Sequence, residues 1–336
     1  MTTKKLIIFT DAAEPQVNGV VNTLKETKKQ LERLNYEVVM ITPNNFRFSI
    51  PLPTYKEIRL ALPSKRKIHK IIKQHKPDYI HIVTEGPIGY QAARVCQKNK
   101  ISYTTSYHTN SFVKEKYVYS YLRKIHNNAK CTLVTTNSMK KKLNKNDIGK
   151  NIVAWGRGVN LSNFKFTSKI HDNNKLRLLY VGRVSHEKNI ESFLDINEKF
   201  FIMDVEKIVV GNGPQLEELQ KKYSNRDNIK FLGMKKGKDL EEEYQKADIF
   251  VFPSKTDTFG IVMLEAMACG TPVAAFNVTG PRDIIIPQIN GYMDDDINIA
   301  VLKCVNMNKI KCSRSIQDLT WENITHNFIS AIEHNN

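Results

Sequence analysis

Residues 247–275, ADIFVFPSKTDTFGIVMLEAMACGTPVAA, pass from an apolar run through a polar loop and a Phe-Gly step into an apolar helical stretch, then into a second apolar run that closes at Phe276. Short apolar runs on either side of a helix mark parallel strands, buried on both faces and joined by a crossover. The stretch therefore predicts a βαβ unit. Two carboxylates, Asp257 and Glu265, stand eight positions apart around the glycine that opens the helix. A glycine at that point lets a ligand approach the backbone N–H groups of a helix start.

The alternation continues on both sides. LRLLYVGR, KIVVGNGP, IKFLG and LEEEYQKA precede this stretch in the second half. The first half repeats it with KKLIIFT, an amphipathic run around Leu24, Leu31 and Leu34, YEVVMIT, IHKIIKQH, DYIHIVT, YQAARVCQ, SYTTSYHT and CTLVTT. The expected fold class is α/β, with two Rossmann-like doubly wound domains facing an interdomain cleft. NLSNFKFTSKIHDNNK, residues 160–175, is polar, Asn-rich and without either hydrophobic period, so it sets the expected boundary. The domains are then 1–165 and 166–336, with the last helix packing back on the first. A chain of 336 residues can bury two such cores.

Composition narrows the class further. Hydrophobic residues make up 41% and charged residues 25%, as in globular proteins. No apolar run approaches the roughly 20 residues of a membrane span, and MTTKKLIIFTD has too short an apolar region for a signal peptide. The expected location is the cytoplasm. Five scattered cysteines, Cys96, Cys131, Cys269, Cys304 and Cys312, form no C-x-x-C pair, which argues against a disulfide framework and a zinc site. The net charge of +17 is held unevenly: residues 1–165 carry 30 Lys and Arg against 10 Asp and Glu, and residues 166–336 carry 21 against 24. Such a basic half suits a polyanion, nucleic acid or an anionic membrane face, although a general lysine bias also explains it. No helix-turn-helix, RNP or zinc-finger signature is present, so nucleic acid is not an expected partner.

Function should lie in the strand-to-helix loops. TDAAEPQVNGVVNTL places Asn18-Gly19 before a helix, where a ligand or merely a tight turn would use it. SYHTN leaves His108 at a strand end, beside Thr109 and Asn110; a lone histidine is more often a structural hydrogen-bonder than a catalyst. LLYVGRVSHEKNI ends a strand at Gly182-Arg183 and brings Lys188 to the next helix start. Two cations in one such loop fit a diphosphate, while solvated charges are the plainer reading. VVGNGPQ sets Gly211 and Gly213 between strand and helix, a G-x-G that alone is weak and fits a close turn.

Together these loops resemble the retaining glycosyltransferases of family 4, which have the GT-B fold. The resemblance runs through EPQVNGVVNTL, EGPIGYQAAR, SYHTN, WGRGVN, YVGRVSHEKN, VVGNGP, residues 247–275 and VTGPRDII. The family's two-acid signature is E-x7-E, here D-x7-E from Asp257 to Glu265. The resemblance implies that Asp257 contacts the donor sugar, that Glu265 binds the ribose hydroxyls, and that Arg183 and Lys188 hold the diphosphate. His108 matches the family histidine near the reacting centre. Asn18, Gly19, Gly182, Gly211, Asn212, Gly213, Met234, Phe259, Gly260, Ile261 and Val262 complete the implied donor contacts. The implied reaction is a front-face transfer, without an enzyme nucleophile, metal or other cofactor. The donor is a nucleotide sugar, GDP-mannose favoured and a UDP-hexose the alternative. The acceptor is a glycolipid or glycan, reached from the cytoplasm or from the cytoplasmic face of a membrane. A non-catalytic binder of sugar nucleotides or polyanions is the rival from another class.

The residues have the matching chemistry. A carboxylate accepts hydrogen bonds from a vicinal diol, and the helix start at Gly260, Ile261 and Val262 offers N–H groups and partial positive charge to a phosphate. Arg183 and Lys188 can neutralise a departing diphosphate in place of a metal, and losing one such donor costs about 3 kcal/mol. Two departures stand out. Asp257 is one methylene shorter than glutamate, about 1.5 Å of reach, which leaves the donor sugar open. SFVKEKYVYSYLRKIHNNAK is shorter than the acceptor-side region of many relatives. MDDDI, Asp294 to Asp296, is expected to be a solvated turn rather than a metal cluster. In SKRKIHKIIKQHK, Ile68, Ile71 and Ile72 share one helical face amid lysines, which predicts a surface helix packed on its own sheet. Lys114–Lys130 mixes basic residues with Tyr117, Tyr119 and Tyr121, as an anionic membrane interface would favour.

Overall fold

A computed structural model describes residues 3–16, 19–51, 59–108, 116–167 and 175–334. Asn18 of the expected donor site, with Thr109 and Asn110, lies outside the described residues. The chain forms two units, Met1–Arg157 with Trp321–Asn336, and Gly158–Thr320. The division falls ahead of the polar 160–175 stretch, so 158–165 belongs with the second unit. Val159 accounts for this, since it is buried in the second unit's core and its N–H donates to the Leu319 carbonyl at 2.8 Å.

The first unit contains β1 (Lys4–Phe9), β2 (Tyr36–Ile41), β3 (Ser49–Pro51), β4 (Arg59–Ala61), β5 (Tyr79–Ile82), β6 (Thr104–Tyr107), β7 (Thr132–Val134) and β8 (Ile152–Ala154). Six of these make a parallel sheet in the order β2-β1-β5-β6-β7-β8, while β3 and β4 pair as a separate antiparallel hairpin. Hydrophobic side chains on both faces of β1, Leu6 to Phe9, are buried, as a central parallel strand requires. Helix Lys65–His75 turns Ile68, Ile71 and Ile72 into one core. The final helix, Trp321–Glu333, places Ile324, Phe328 and Ile332 against Leu6, Ile8 and Trp155 of the first unit.

The second unit contains β9 (Lys175–Val181), β10 (Asp204–Val210), β11 (Ile229–Phe231), β12 (Ile249–Phe252), β13 (Val273–Phe276) and β14 (Gly291–Asp294), ordered β11-β10-β9-β12-β13-β14 and all parallel. The order reverses between β9 and β12, and a crevice for ligands opens beyond the strand ends at such a switch point. In the first unit the reversal lies between β1 and β5.

Some elements were not marked in the sequence reading. β8 and the β3–β4 hairpin are three residues per strand, too short for a periodic signal. The expected solvated turn at MDDDI is found at Asp295 and Asp296, which are exposed at a bend, while its first acid belongs to a strand. Asp294 ends β14, and Asp296 caps helix Ile297–Cys304 by accepting from the Asn298 N–H at 2.9 Å. Among the described residues no three His, Cys, Asp or Glu side chains gather as metal ligands, and no helix is long and apolar enough to cross a membrane.

Candidate functional site

The switch point of the second unit brings together the loop after β9, residues 182–189, and the loop after β12, residues 253–260. They are tied at three points. Asn189 donates to the Pro253 carbonyl at 3.1 Å, Thr256 donates to the Glu187 carbonyl at 3.2 Å, and Lys188 Nζ lies 2.7 and 2.8 Å from the two carboxylate oxygens of Asp257. Lys188 and Asp257 are both part-buried, so their attraction is less screened than that of a surface pair. Arg183 stands in the same loop, its carbonyl accepting from the Tyr180 hydroxyl at 2.7 Å. That hydroxyl sits 2.9 Å from where a Cβ on Gly182 would be, which explains the glycine without a ligand.

Helix Ile261–Ala268 starts at this loop. Gly260, with φ of +92°, occupies its N-cap, and a Cβ there would fall 2.7 Å from the Phe252 ring. Only glycine fits both the dihedral and the space. The first N–H groups of a helix have no partner within it, so Gly260, Ile261 and Val262 present donors and the positive end of the helix dipole. Phe259 is buried against the core beneath. Glu265 lies on this helix and accepts from the Tyr244 hydroxyl at 2.8 Å. Burial raises its carboxyl to about 7, against a smaller opposing effect of the Tyr244 hydrogen bond.

The G-x-G after β10 has a packing role. A Cβ on Gly211 would fall 1.8 Å from the Gly182 carbonyl oxygen, and one on Gly213 would fall 2.2 Å from that of Val184. The two glycines thus let the loops after β9 and β10 stack backbone on backbone. The Asn212 side chain accepts from the Gly213 N–H at 2.7 Å. Met234 is exposed just beyond Gly233, whose carbonyl accepts from the Gly211 N–H at 2.8 Å.

His108 lies in the first unit, at the end of β6. Its Nδ1 is 2.7 Å from an Arg157 guanidinium nitrogen. Arg157 is itself buried, stacks over Trp155 and donates to the Gly156 carbonyl at 2.6 Å. A guanidinium has only donors, so Nδ1 must accept and the ring proton resides on Nε2. Burial first, then the Arg157 charge with His81 and His126, holds the imidazole well below its ordinary 6.5. His108 is therefore a neutral donor through Nε2. Gly19 opens helix Gly19–Arg33, and the space beside it would admit a Cβ.

At the first unit's own switch point, Asp11 after β1 accepts from Thr84 Oγ1 at 2.8 Å and from the Ile88 N–H at 3.0 Å. It thereby caps helix Pro87–Lys98, and a Cβ on Gly86 would meet its carboxylate at 2.4 Å. Sequence reasoning singled out neither Asp11 nor Arg157 nor Tyr244. Arg157 lies inside the quoted WGRGVN, but its partner is 49 positions away.

A sheet in this order, with paired strand-end loops carrying two cations, an acid and a helix start, defines an α/β protein of the nucleotide-binding class. Comparison with known proteins gives the family. Residues 17–163 match the family described as Glycosyltransferase Family 4, and residues 162–303 match Glycosyl transferases group 1. The chain belongs to the family 4 glycosyltransferases of GT-B fold. It is 29% identical to the sulfoquinovosyl transferase SQD2 of Arabidopsis thaliana, over 80% of this chain and 58% of that one. It is 26% identical to a GDP-mannose-dependent alpha-mannosyltransferase of Mycolicibacterium smegmatis, over 87% and 84%. It is also 26% identical to an alpha-monoglucosyldiacylglycerol synthase of Streptococcus pneumoniae, over 98% and 86%. Among solved structures, sucrose-phosphate synthase from Thermosynechococcus elongatus superposes with a TM-score of 0.79 at 20% identity, covering 97% of this chain and 98% of that one. Anabaena HepE, solved with UDP and glucose, gives 0.73 at 14% identity, over 98% and 100%.

Proposed function

We propose that this glycosyltransferase moves a hexose, mannose favoured, from a nucleotide diphosphate sugar to a glycolipid or glycan acceptor, with retention of anomeric configuration and without a metal. The carrying observation is the second unit's switch point, where Arg183, Lys188 and the helix start at Gly260 are grouped. A diphosphate there would meet two cations and a helix dipole, and the charge it develops on leaving would be neutralised by groups already in place. Glu265 would clamp the ribose diol, and Asp257 would meet the sugar. His108, held neutral and with its Nε2 proton outward of Arg157, would donate to a sugar hydroxyl rather than act as a base.

A UDP-hexose donor is the second reading. It is favoured by the HepE structure with UDP and glucose and by a relative named for monoglucosyldiacylglycerol. GDP-mannose is favoured by the mycolicibacterial relative. The acceptor reading rests on the lipid synthase relative and on the charge of the first unit, since 1–157 with 321–336 hold 29 Lys and Arg against 12 Asp and Glu.

The test is turnover with a panel of GDP- and UDP-sugars in EDTA. One donor should release its nucleoside diphosphate, and an α-donor should give an α-product by proton NMR. A strict magnesium requirement or a β-product would overturn the mechanism. Binding of DNA or RNA at physiological salt, with no sugar nucleotide bound, would replace the enzyme reading altogether.

A further inference from the structure

Helix Ile261–Ala268, IVMLEAMA, is apolar except for Glu265, which sits between buried Leu264 and buried Ala266. Burial and the Tyr244 hydroxyl are the two influences on its ionisation, and no cation among the described residues is one of them. Oε2 accepts from that hydroxyl at 2.8 Å, while Oε1 has no hydrogen-bond partner among the described residues and keeps access to solvent. An ionised carboxyl offers about four acceptor sites, so most of its capacity is unused.

Tyr244 comes from a different element, helix Gly237–Lys246, and is fully buried. Phe164 and Phe250 stand edge-on to its ring, each with centroids 5.7 Å away, and Thr271 donates to its carbonyl at 2.6 Å. The hydroxyl is therefore a fixed donor. Burial, then the Glu265 charge, hold the phenol well above its ordinary 10, so it keeps its proton.

For stability alone the pair is a poor arrangement, since a buried carboxylate with one neutral donor is costlier than two apolar side chains of the same shape. For binding it is a good one. A glutamate has three side-chain torsions, and a ligand that had to order them would lose about tenfold in affinity. Pinning Oε2 orders them in advance and leaves Oε1 to receive a hydroxyl.

We propose that Tyr244 is a positioning residue of the nucleotide site: by holding Oε2 of Glu265 it aims Oε1 at the ribose hydroxyls, and so sets the preference for a ribonucleotide over its dideoxy counterpart. This role rests on the proposed reading of Glu265 as the ribose clamp and goes beyond it, because it assigns the selectivity to a fully buried side chain on another helix.

The probes are GDP and UDP with their 2′,3′-dideoxy counterparts, titrated calorimetrically at pH 8, where Glu265 is ionised. The proteins are the wild type, Tyr244→Phe, Glu265→Gln and the double variant. Tyr244→Phe removes only the hydroxyl and keeps the ring between Phe164 and Phe250. The wild type should bind one ribonucleotide about thirtyfold tighter than its dideoxy form, as two hydrogen bonds to a carboxylate would give. In Tyr244→Phe that margin should fall to about threefold, with the dideoxy affinity unchanged, which also shows that the variant is folded. The double variant should match Glu265→Gln, because the tyrosine acts through the acid. A merely structural tyrosine would weaken both nucleotide forms alike. Such an equal loss, a margin as wide in Tyr244→Phe as in the wild type, or additive losses in the double variant would overturn the role of Tyr244 and leave the clamp standing. A wild type that binds both forms alike, or binds neither nucleotide, would remove the clamp and the role of Tyr244 with it.

Discussion

Lys188 Nζ is shared between both carboxylate oxygens of Asp257, at 2.7 and 2.8 Å, so the cation of one strand-end loop is already engaged by the acid of the next. A diphosphate bound there, as proposed, would compete with Asp257 for that ammonium. Asp257→Asn should therefore tighten a nucleoside diphosphate about five-fold, by roughly 1 kcal/mol, while transfer falls at least tenfold. Calorimetric titration with GDP and UDP, set beside turnover, checks both. Weaker diphosphate binding in the variant would show that Asp257 does not restrain Lys188.

Glu265 gives a pH dependence with a defined sign. Its folded carboxyl is raised from 4.5 to about 7, so its stabilising share is fully present below 4.5 and is lost as pH rises through 7. Glu265→Gln removes that loss, and the melting temperature of the variant should gain on the wild type between pH 5 and pH 8. Binding runs the other way, because a diol clamp needs the carboxylate. Affinity for an intact nucleotide sugar, whose phosphates do not titrate in this range, should rise through pH 7 in the wild type and stay flat in Glu265→Gln. Parallel pH profiles for the two proteins would contradict the assignment.

Arg157 is a positioning residue for His108. Replacing it with Met removes the donor to Nδ1 and the charge that helps hold the ring neutral. Activity should fall about tenfold or more, and an acid limb should appear as His108 charges nearer its ordinary value. Nitrogen-15 NMR should find Nε2–H alone in the wild type and a tautomer mixture in Arg157→Met. An unchanged tautomer would remove Arg157 from this role.

Much of the arrangement was legible before the structure. The βαβ alternation marked strands β9, β10, β12 and β13, because parallel strands buried on both faces read as continuous apolar runs. Glycine 260 was legible as well, since a helix start after an apolar strand leaves few other reasons for it. What could not be read is what depends on distant partners. Tyr244 looks like any aromatic in an acidic helix until it meets Glu265, 21 positions on. The G-x-G of Gly211 and Gly213 suggests a phosphate loop by pattern, yet its missing side chains are filled by the neighbouring carbonyls of Gly182 and Val184. Charge misleads in the same way. Lys207, the charged first residue of KIVVGNGP, is fully buried.

Lys207 supplies the stability prediction. Its ammonium donates to the carbonyls of Leu194 and Ile196, both at 2.8 Å, and pairs with Glu198 at 2.9 Å. Lys207→Ala would take the ammonium from the Ile196 carbonyl, leave the Leu194 carbonyl with Arg226 alone at 3.2 Å, and open a void, at a cost of about 3 kcal/mol to the second unit. Lys207→Met keeps the volume and should cost less. Urea denaturation of the three proteins would rank them, and an alanine variant as stable as the wild type would show that the network adds nothing.

In the proposed transfer, Arg183 and Lys188 hold the nucleotide's diphosphate. The most direct measurement compares titrations of GDP and UDP with those of guanosine and uridine, in the wild type and in Arg183→Ala. The wild type should bind one diphosphate about a hundredfold tighter than its nucleoside, as two charge-assisted contacts would give. Arg183→Ala should cut that margin by about tenfold while leaving the nucleoside affinity nearly as it was. Equal losses for nucleoside and diphosphate, or no preference for the diphosphate in the wild type, would contradict it.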